Sequence, residues 1–361
     1  MTRKKPGRDF HIHLLHTPER VIEYLDLVYV AENNFCISRK KQGRGFSYLK
    51  NGKRIKDSKQ LSRFRQLVIP PAWRDVRITD CANGHLQATG YDDKGRKQYL
   101  YHPLWQKVRN QSKFYKMAAF GKKLPAIRKR ISADLDQKGW PKTKVLALII
   151  RLMETTYIRV GGTQYARENN SYGLSTMRKK HVTYENGSIQ FEFKGKKGIS
   201  HCVGLEDKKL IRLVRQCEEI PGWKLFQYYE EDGEKHSIDS GMVNEYLHAA
   251  SGEYFTAKDF RTWSGSRIFF ETLATAKGHS DPEERNQIIL QALDKVAAEL
   301  GNTRSTCRKY YVHPVLISDY EASGLEGAFE AVKKKKDSTY FSATEKVLLK
   351  LFSRYQPEHG V

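Results

Sequence analysis

The chain has 361 residues, enough for two domains of ordinary size. Hydrophobic residues make up 39%, so a core can form, but charged residues make up 29% and keep every apolar run far short of a membrane span. Lys and Arg number 64 against 41 Asp and Glu, and the net charge of +23 points to a polyanion, nucleic acid first. A membrane surface is disfavoured, because no Lys/Arg-rich helix carries a bulky apolar face.

The N-terminus, MTRKKPGRDFHIHLL, is basic but lacks the apolar stretch of a secretion signal, so a cytoplasmic location is expected. His11 and His13 read as part of a solvated segment. Five scattered cysteines form no CxxC pair and no Cys/His cluster, which points to a reducing compartment and against a metal site.

The first third reads as β-rich. Leu27 to Val30 is a short β-prone run. Asn51-Gly52 between Phe46–Leu49 and Lys53–Ile55 is a strong hairpin signal. Asn83-Gly84 predicts a second hairpin, between VRIT and HLQATGYD, and DDKG (Asp92 to Gly95) a third turn before RKQYLYH. Ser58 to Leu67 predicts a short helix, and Ile69 to Trp73, with two prolines, a rigid extended segment.

From about Pro103 the pattern turns helical. Lys142 to Arg159 reads as an amphipathic helix with Val145, Leu148, Ile149, Leu152 and Met153 on one side. Asn169 to Gly173 reads as a turn. A compact β unit follows: His181–Tyr184, the Asn186-Gly187 hairpin, Ile189–Phe193, a KGKKG tip and Ser200–Val203. Helices are predicted over Asp207–Glu218, Val243–Ala250, Ala257–Ala276 and Pro282–Leu300, the last closed by Gly301. Lys333 to Lys336 reads as a solvated basic run and Ser342 to Ser353 as a terminal helix. The expected fold is α+β: an N-terminal extension over 1–25, a small β-rich domain over 26–105, and a larger, mainly helical domain with a small antiparallel sheet over 106–361.

Within the second domain lie ETTYIRVGG, FKGKKG, AKDFRTW and LGNTRSTCRKYYVHP. Their arginines, lysines, amide and tyrosines suit attack of a tyrosine oxygen on a phosphodiester. A tyrosine hydroxyl titrates near 10 and is a poor nucleophile unless cations stabilise its phenolate. Arg159 and Arg261 have forks that match non-bridging phosphate oxygens. Lys196, at a hairpin tip, can reach a leaving oxygen and protonate it. Lys258, three residues before Arg261, lies on the same side of a helix. The Asn302 amide can donate to phosphate without titrating. Viewed singly, each is ordinary: surface arginines make salt bridges, Gly-Lys-Lys-Gly makes turns, and Gly-Asn-Thr does too. Local chemistry leaves Tyr310 and Tyr311 as alternatives. In the first domain, GYDDKGRKQYLYH mixes cations with aromatics, as a duplex-facing surface would.

Taken in order, IPPAW, TGYDDKGRKQYLYH, YIRVGGTQYARENNSYGLSTMRKKHV, FKGKKGISH, KDFRTW and LGNTRSTCRKYYVHP resemble the type IB DNA topoisomerases, in their small poxvirus-like and bacterial branch. The resemblance spans about Tyr48 to Pro314. It implies Tyr311 as nucleophile, Arg159 and Arg261 as transition-state cations, Lys196 as general acid assisted by Lys258, and Asn302 as the phosphate-binding side chain, a histidine in poxvirus enzymes. It implies DNA contacts at Lys94, Gln98, Tyr99, Tyr101 and Tyr165. Gly162 and Gln164 stand where poxvirus enzymes carry basic specificity contacts. The family acts on double-stranded DNA as a monomer that clamps the duplex, needs no metal and no nucleotide cofactor, and would work on the nucleoid. A tyrosine recombinase shares this cationic logic but carries histidine where this chain has Lys258, and has a helical first domain. A non-catalytic architectural DNA-binding protein would account for the charge but not for the filled catalytic positions.

Overall fold

The computed structural model describes residue 13, residues 17–276 and residues 281–356. His11 and most of the basic N-terminal segment lie outside the described residues. His13 is described, and its Nδ1 pairs with the Thr17 hydroxyl at 2.9 Å. The chain forms two compact units, the first up to Tyr115 and the second over Lys116–Tyr355.

The first unit is built on a six-stranded antiparallel sheet in the order β3-β2-β1-β4-β5-β6. Its strands are β1 (Ile37–Gln42), β2 (Gly45–Lys50), β3 (Lys53–Arg54), β4 (Arg74–Ile78), β5 (Leu86–Tyr91) and β6 (Lys97–Tyr101). Asn51 and Gly52 both have positive φ, 47° and 83°, as the two-residue turn joining β2 and β3 requires. Helix α1 (Ser58–Gln66) starts at Asp57, whose carboxylate accepts from the Gln60 amide, and it buries Phe64 against Ile37, Tyr48, Val76 and Ile78. Residues 18–24 form a 3-10 turn that buries Val21 and Tyr24 beside Val108.

Two expectations for this unit change. Asn83-Gly84 makes no tight hairpin: the β4–β5 connection is a longer loop closed by Gln87, whose amide donates to the carbonyls of Cys81, Ala82 and Gly84. Pro71-Ala72 bends in a turn, with the Trp73 amide donating to the Pro70 carbonyl, where an extended run was expected.

The second unit is mainly helical. Helix α2 (Pro103–Leu135) runs into it from the first. Helix α3 (Lys142–Thr156) is central, not one-faced: Lys144 to Ile150 are all buried, because α5 (Lys208–Glu218), α6 (Ser240–Ser251) and α7 (Ala257–Thr275) pack around it. It stops three residues before Arg159, because Tyr157 turns left-handed at φ 56°. The short α4 (Thr163–Asn169) follows, closed by a left-handed Asn170. The three-stranded sheet is β7 (Val182–Glu185), β8 (Ser188–Lys194) and β9 (Ser200–Leu205), turned at Asn186-Gly187 with φ 44° and 80°. A two-stranded ribbon, β10 (Gln227–Tyr229) and β11 (Lys235–Ser237), was not anticipated.

Helix α8 (Pro282–Leu300) ends at Gly301, in the left-handed region at φ 56°. Then come α9 (Arg304–Tyr310), α10 (Pro314–Glu321), α11 (Glu326–Lys333) and α12 (Ala343–Phe352). The basic run Lys333–Lys336 is exposed. Helix α12 is held by Glu345, which accepts from both the Arg128 guanidinium and the Trp263 indole. The α+β fold, with its β-rich first part and helical second part, is as the sequence predicts. Among the described residues no helix is long and apolar enough to cross a membrane.

Candidate active site

The site grows from the C-terminal end of α8. A helix ends with unpaired carbonyls and a partial negative charge, which favours cations there by about 0.3–1 kcal/mol each. Two arginines from distant segments use that end. The Arg261 guanidinium, from α7, donates Nη2 to the Leu300 carbonyl at 2.7 Å. Arg159 donates Nη2 to the Gly301 carbonyl at 3.0 Å and to the Asn302 Oδ1 at 2.7 Å. Gly301 is left-handed where it ends α8, and its carbonyl and that of Leu300 go to two different arginines.

Arg261 has a second anchor. Its Nη1 donates to the carbonyl of Tyr157, the left-handed residue that ends α3. The Tyr157 hydroxyl accepts in turn from Arg267 at 2.9 Å, and Arg267 pairs with Glu271. A non-glycine residue at positive φ is uncommon, and here it serves an identifiable end: it points a carbonyl at Arg261 and starts the extended segment that carries Arg159. That segment runs against Gly173 so closely that a Cβ there would lie 2.4 Å from the Arg159 carbonyl oxygen.

The two guanidiniums are close enough to affect each other. Burial, and then the charge of Arg159, lower the Arg261 pKa to about 10. Burial lowers Arg159 as well. Arginine's high intrinsic value keeps both charged at neutral pH. Among the described residues the buried Nε of Arg261 has no hydrogen-bond partner.

Tyr311 closes the group. It caps α9, its amide donating to the Cys307 carbonyl at 2.9 Å, and the Arg261 guanidinium carbon lies 5.3 Å from its ring centroid. Helix α7 grips its backbone. Ser266 Oγ lies 3.3 Å from the Tyr311 carbonyl and accepts from the His313 amide at 3.0 Å. Gly265 lets the helix come this near: a Cβ there would sit 2.8 Å from the Tyr311 carbonyl oxygen and 3.2 Å from its Cβ. Cys307 is buried beneath, its thiol pushed up to about 11 by that burial. Tyr310 faces elsewhere, with the Lys258 ammonium 5.9 Å and the Lys309 ammonium 5.4 Å from its ring centroid.

The structure thus gathers Arg159, Arg261, Asn302 and Tyr311. Lys258 lies one turn before Arg261 but on the Tyr310 side. Lys196 is exposed, on the turn between β8 and β9 whose Lys197 is left-handed at φ 66°. Among the described residues no hydrogen bond or ion pair engages the Lys196 side chain. Two other residues went unnoticed in the sequence: Tyr157, since a tyrosine gives no sign of a left-handed helix end, and Gly265, since a glycine inside a helix shows its purpose only through its neighbour. Among the described residues no group of three or more His, Cys, Asp or Glu side chains is placed to hold a metal ion.

The DNA contacts expected in the first unit lie on β6 and in the turn before it. Lys97, Tyr99 and Tyr101 alternate onto one face of β6. The Tyr99 and Tyr101 rings stack 6.2 Å apart, and the Arg109 guanidinium lies 5.4 Å from the Tyr101 centroid. Gln98 points to the opposite face and donates to Asp92 at 3.0 Å. Lys94 is exposed in the turn whose amide is held by Asp92. In the second unit Tyr165 is 54% exposed on α4.

Comparison with known proteins bears on this arrangement. Residues 102–338 match the family described as eukaryotic DNA topoisomerase I, catalytic core, and residues 45–92 match the bacterial DNA topoisomerase IB N-terminal domain. The chain is 32% identical over 294 residues to DNA topoisomerase 1B of Acanthamoeba polyphaga mimivirus, across 79% of this chain and 87% of the viral protein. It is 25% identical over 230 residues to DNA topoisomerase 1 of Rabbit fibroma virus, across 62% and 68% of the two chains. With DNA topoisomerase 1B of Vaccinia virus it shares 23% over 231 residues, across 63% and 70%. The β-rich first part, the helical core and these matches lead to one assignment: the chain belongs to the type IB DNA topoisomerase family.

Proposed function

We propose that this chain relaxes supercoiled duplex DNA by breaking and resealing one strand through Tyr311. The phenolic oxygen forms a bond to the scissile phosphorus, with its proton passing to water. The bond from phosphorus to the 5′ oxygen breaks, and Lys196 donates a proton to that oxygen. The products are a 3′-phosphotyrosyl enzyme and a free 5′-hydroxyl end, which swivels and then attacks the phosphorus to reverse the step. The covalent bond conserves the energy of the phosphodiester, so neither ATP nor a metal enters the reaction.

One observation carries this reading: two guanidiniums fixed by the carbonyls of Tyr157, Leu300 and Gly301, with Asn302 beside them and Arg261 against the Tyr311 ring. Cations positioned before charge develops commonly contribute more to catalysis than any other single effect. Tyr311 is preferred to Tyr310 because Arg261 lies against the former, whereas the latter faces Lys258 and Lys309. Lys258 assists from the Tyr310 side. Lys94, Gln98, Tyr99, Tyr101 and Tyr165 contact the duplex, Gln98 from the opposite face of the edge strand β6 to the two tyrosines, and phosphate contacts make binding fall steeply with salt. The enzyme acts as a monomer on the nucleoid. The β-rich first unit and Lys258, three residues before Arg261, weigh against a tyrosine recombinase.

Incubating negatively supercoiled plasmid with the purified chain in EDTA without ATP tests this. A ladder of relaxed topoisomers is expected. Unchanged supercoils across a salt series, with DNA bound, would contradict the reading.

A further inference from the structure

Among the described residues Lys196 has no side-chain partner, so something else must set where its turn stands. His201, in β9, is placed to do so. It pairs across the ladder with Phe193 and stacks on that ring, centroids 5.3 Å apart. The two edges of the imidazole meet two different loops. A Cβ on Gly195 would lie 2.5 Å from Cδ2 and 2.6 Å from Nε2, and a Cβ on Gly301 would lie 2.6 Å from Cε1. Gly195 directly precedes Lys196. Gly301 directly precedes Asn302, and its carbonyl holds Arg159.

The Lys196 turn is closed on itself and tied to the rest of the domain by Ser171, whose hydroxyl donates to the Gly195 carbonyl at 2.9 Å. The Gly195 amide donates to the Ile199 carbonyl at 2.8 Å, and the Gly198 amide to the Gly195 carbonyl at 3.0 Å. A displacement of Gly195 therefore carries the whole tip with it. Among the described residues no hydrogen bond or ion pair engages the imidazole. Burial, and then the charges of Arg159 and Arg261, hold its pKa below the usual value. A neutral ring beside two cations acts through shape.

We infer that His201 is a positioning residue: wedged between Gly195 and Gly301, it fixes the Lys196 turn against the Arg159–Asn302 pocket so that both address one phosphodiester. The inference rests on the general-acid reading of Lys196 given above.

The test is single-turnover cleavage of a duplex whose scissile bond leaves through either a 5′ oxygen or a 5′ sulfur. A thiolate needs little protonation, so the sulfur substrate bypasses the general acid. His201→Ala should slow the oxygen substrate roughly 100-fold, the loss that a misplacement of about 1 Å brings, and leave the sulfur substrate within a few-fold of wild type. The double variant with Lys196→Ala should be no slower on oxygen than Lys196→Ala alone. Gly195→Ala pushes on the same ring from the other side and should give the same signature if His201→Ala fails to fold. Equal slowing on both substrates, or additive losses in the double variant, would overturn the inference. Lys196→Ala, run in parallel, separates the two levels: if sulfur does not rescue it, the general-acid reading has failed and this inference with it. If sulfur rescues it but not His201→Ala, only the role of His201 is lost.

Discussion

The arginine pocket and the lysine turn differ in how they are held. Arg159 and Arg261 are tied to three backbone carbonyls, and Arg261 is 5% exposed. Lys196 stands exposed on a turn, with Gly195 meeting His201 behind it. The roles proposed for them account for the difference. Charge that develops on non-bridging oxygens is best met by dipoles and cations that need no rearrangement. In the proposed mechanism a general acid meets a leaving oxygen that is at the site only when DNA is bound, which suits a lysine exposed on a turn whose base is held by Ser171 and His201.

Five substitutions would break or sharpen this contrast. Tyr311→Phe should abolish cleavage in a covalent-adduct assay while leaving duplex affinity within about two-fold, since most affinity comes from phosphate contacts elsewhere. Lys196→Ala should slow cleavage by ~10²–10⁴-fold, the usual contribution of a positioned acid, with an unchanged melting temperature because no described residue bonds to that side chain. Arg261→Lys should lose ~10²–10³-fold in cleavage rate, because an ammonium cannot span the Tyr157 and Leu300 carbonyls and still present a donor to phosphate. Gly265→Ala should cost about 100-fold through a displaced Tyr311, together with a lower melting temperature from overpacking of about 1–3 kcal/mol. Asn302→Ala should be mildest, at about ten-fold, the low end for one hydrogen bond to a charged group, read as slower single-turnover cleavage. If Lys196→Ala lowered the melting temperature as Gly265→Ala does, the lysine turn would be part of the fold and the contrast would fail.

Much of the scaffold could be read from local chemistry. Asn51-Gly52 and Asn186-Gly187 turn where they should, because their left-handed geometry is a property of the residues themselves. Gly301 ends α8 for the same reason. Asn83-Gly84 shows the limit of that logic: Gln87 caps a longer loop there, and its side chain outweighs a local preference. Helix α3 reads as continuing to Arg159, but it ends at Thr156 because Tyr157 turns left-handed. The bond between Tyr157 and Arg261 spans 104 residues and that between Arg159 and Gly301 spans 142, so no window of sequence contains either. Motifs could name the cations. They could not tell that the end of α8 holds two of them, or that an imidazole stands between the lysine turn and that end.

Trapping the covalent complex on a duplex, digesting it and locating the nucleotide-bearing tyrosine by mass spectrometry decides which ring is the nucleophile. The adduct is expected on Tyr311, the ring against Arg261. An adduct on Tyr310, which faces Lys258 and Lys309, would contradict the assignment.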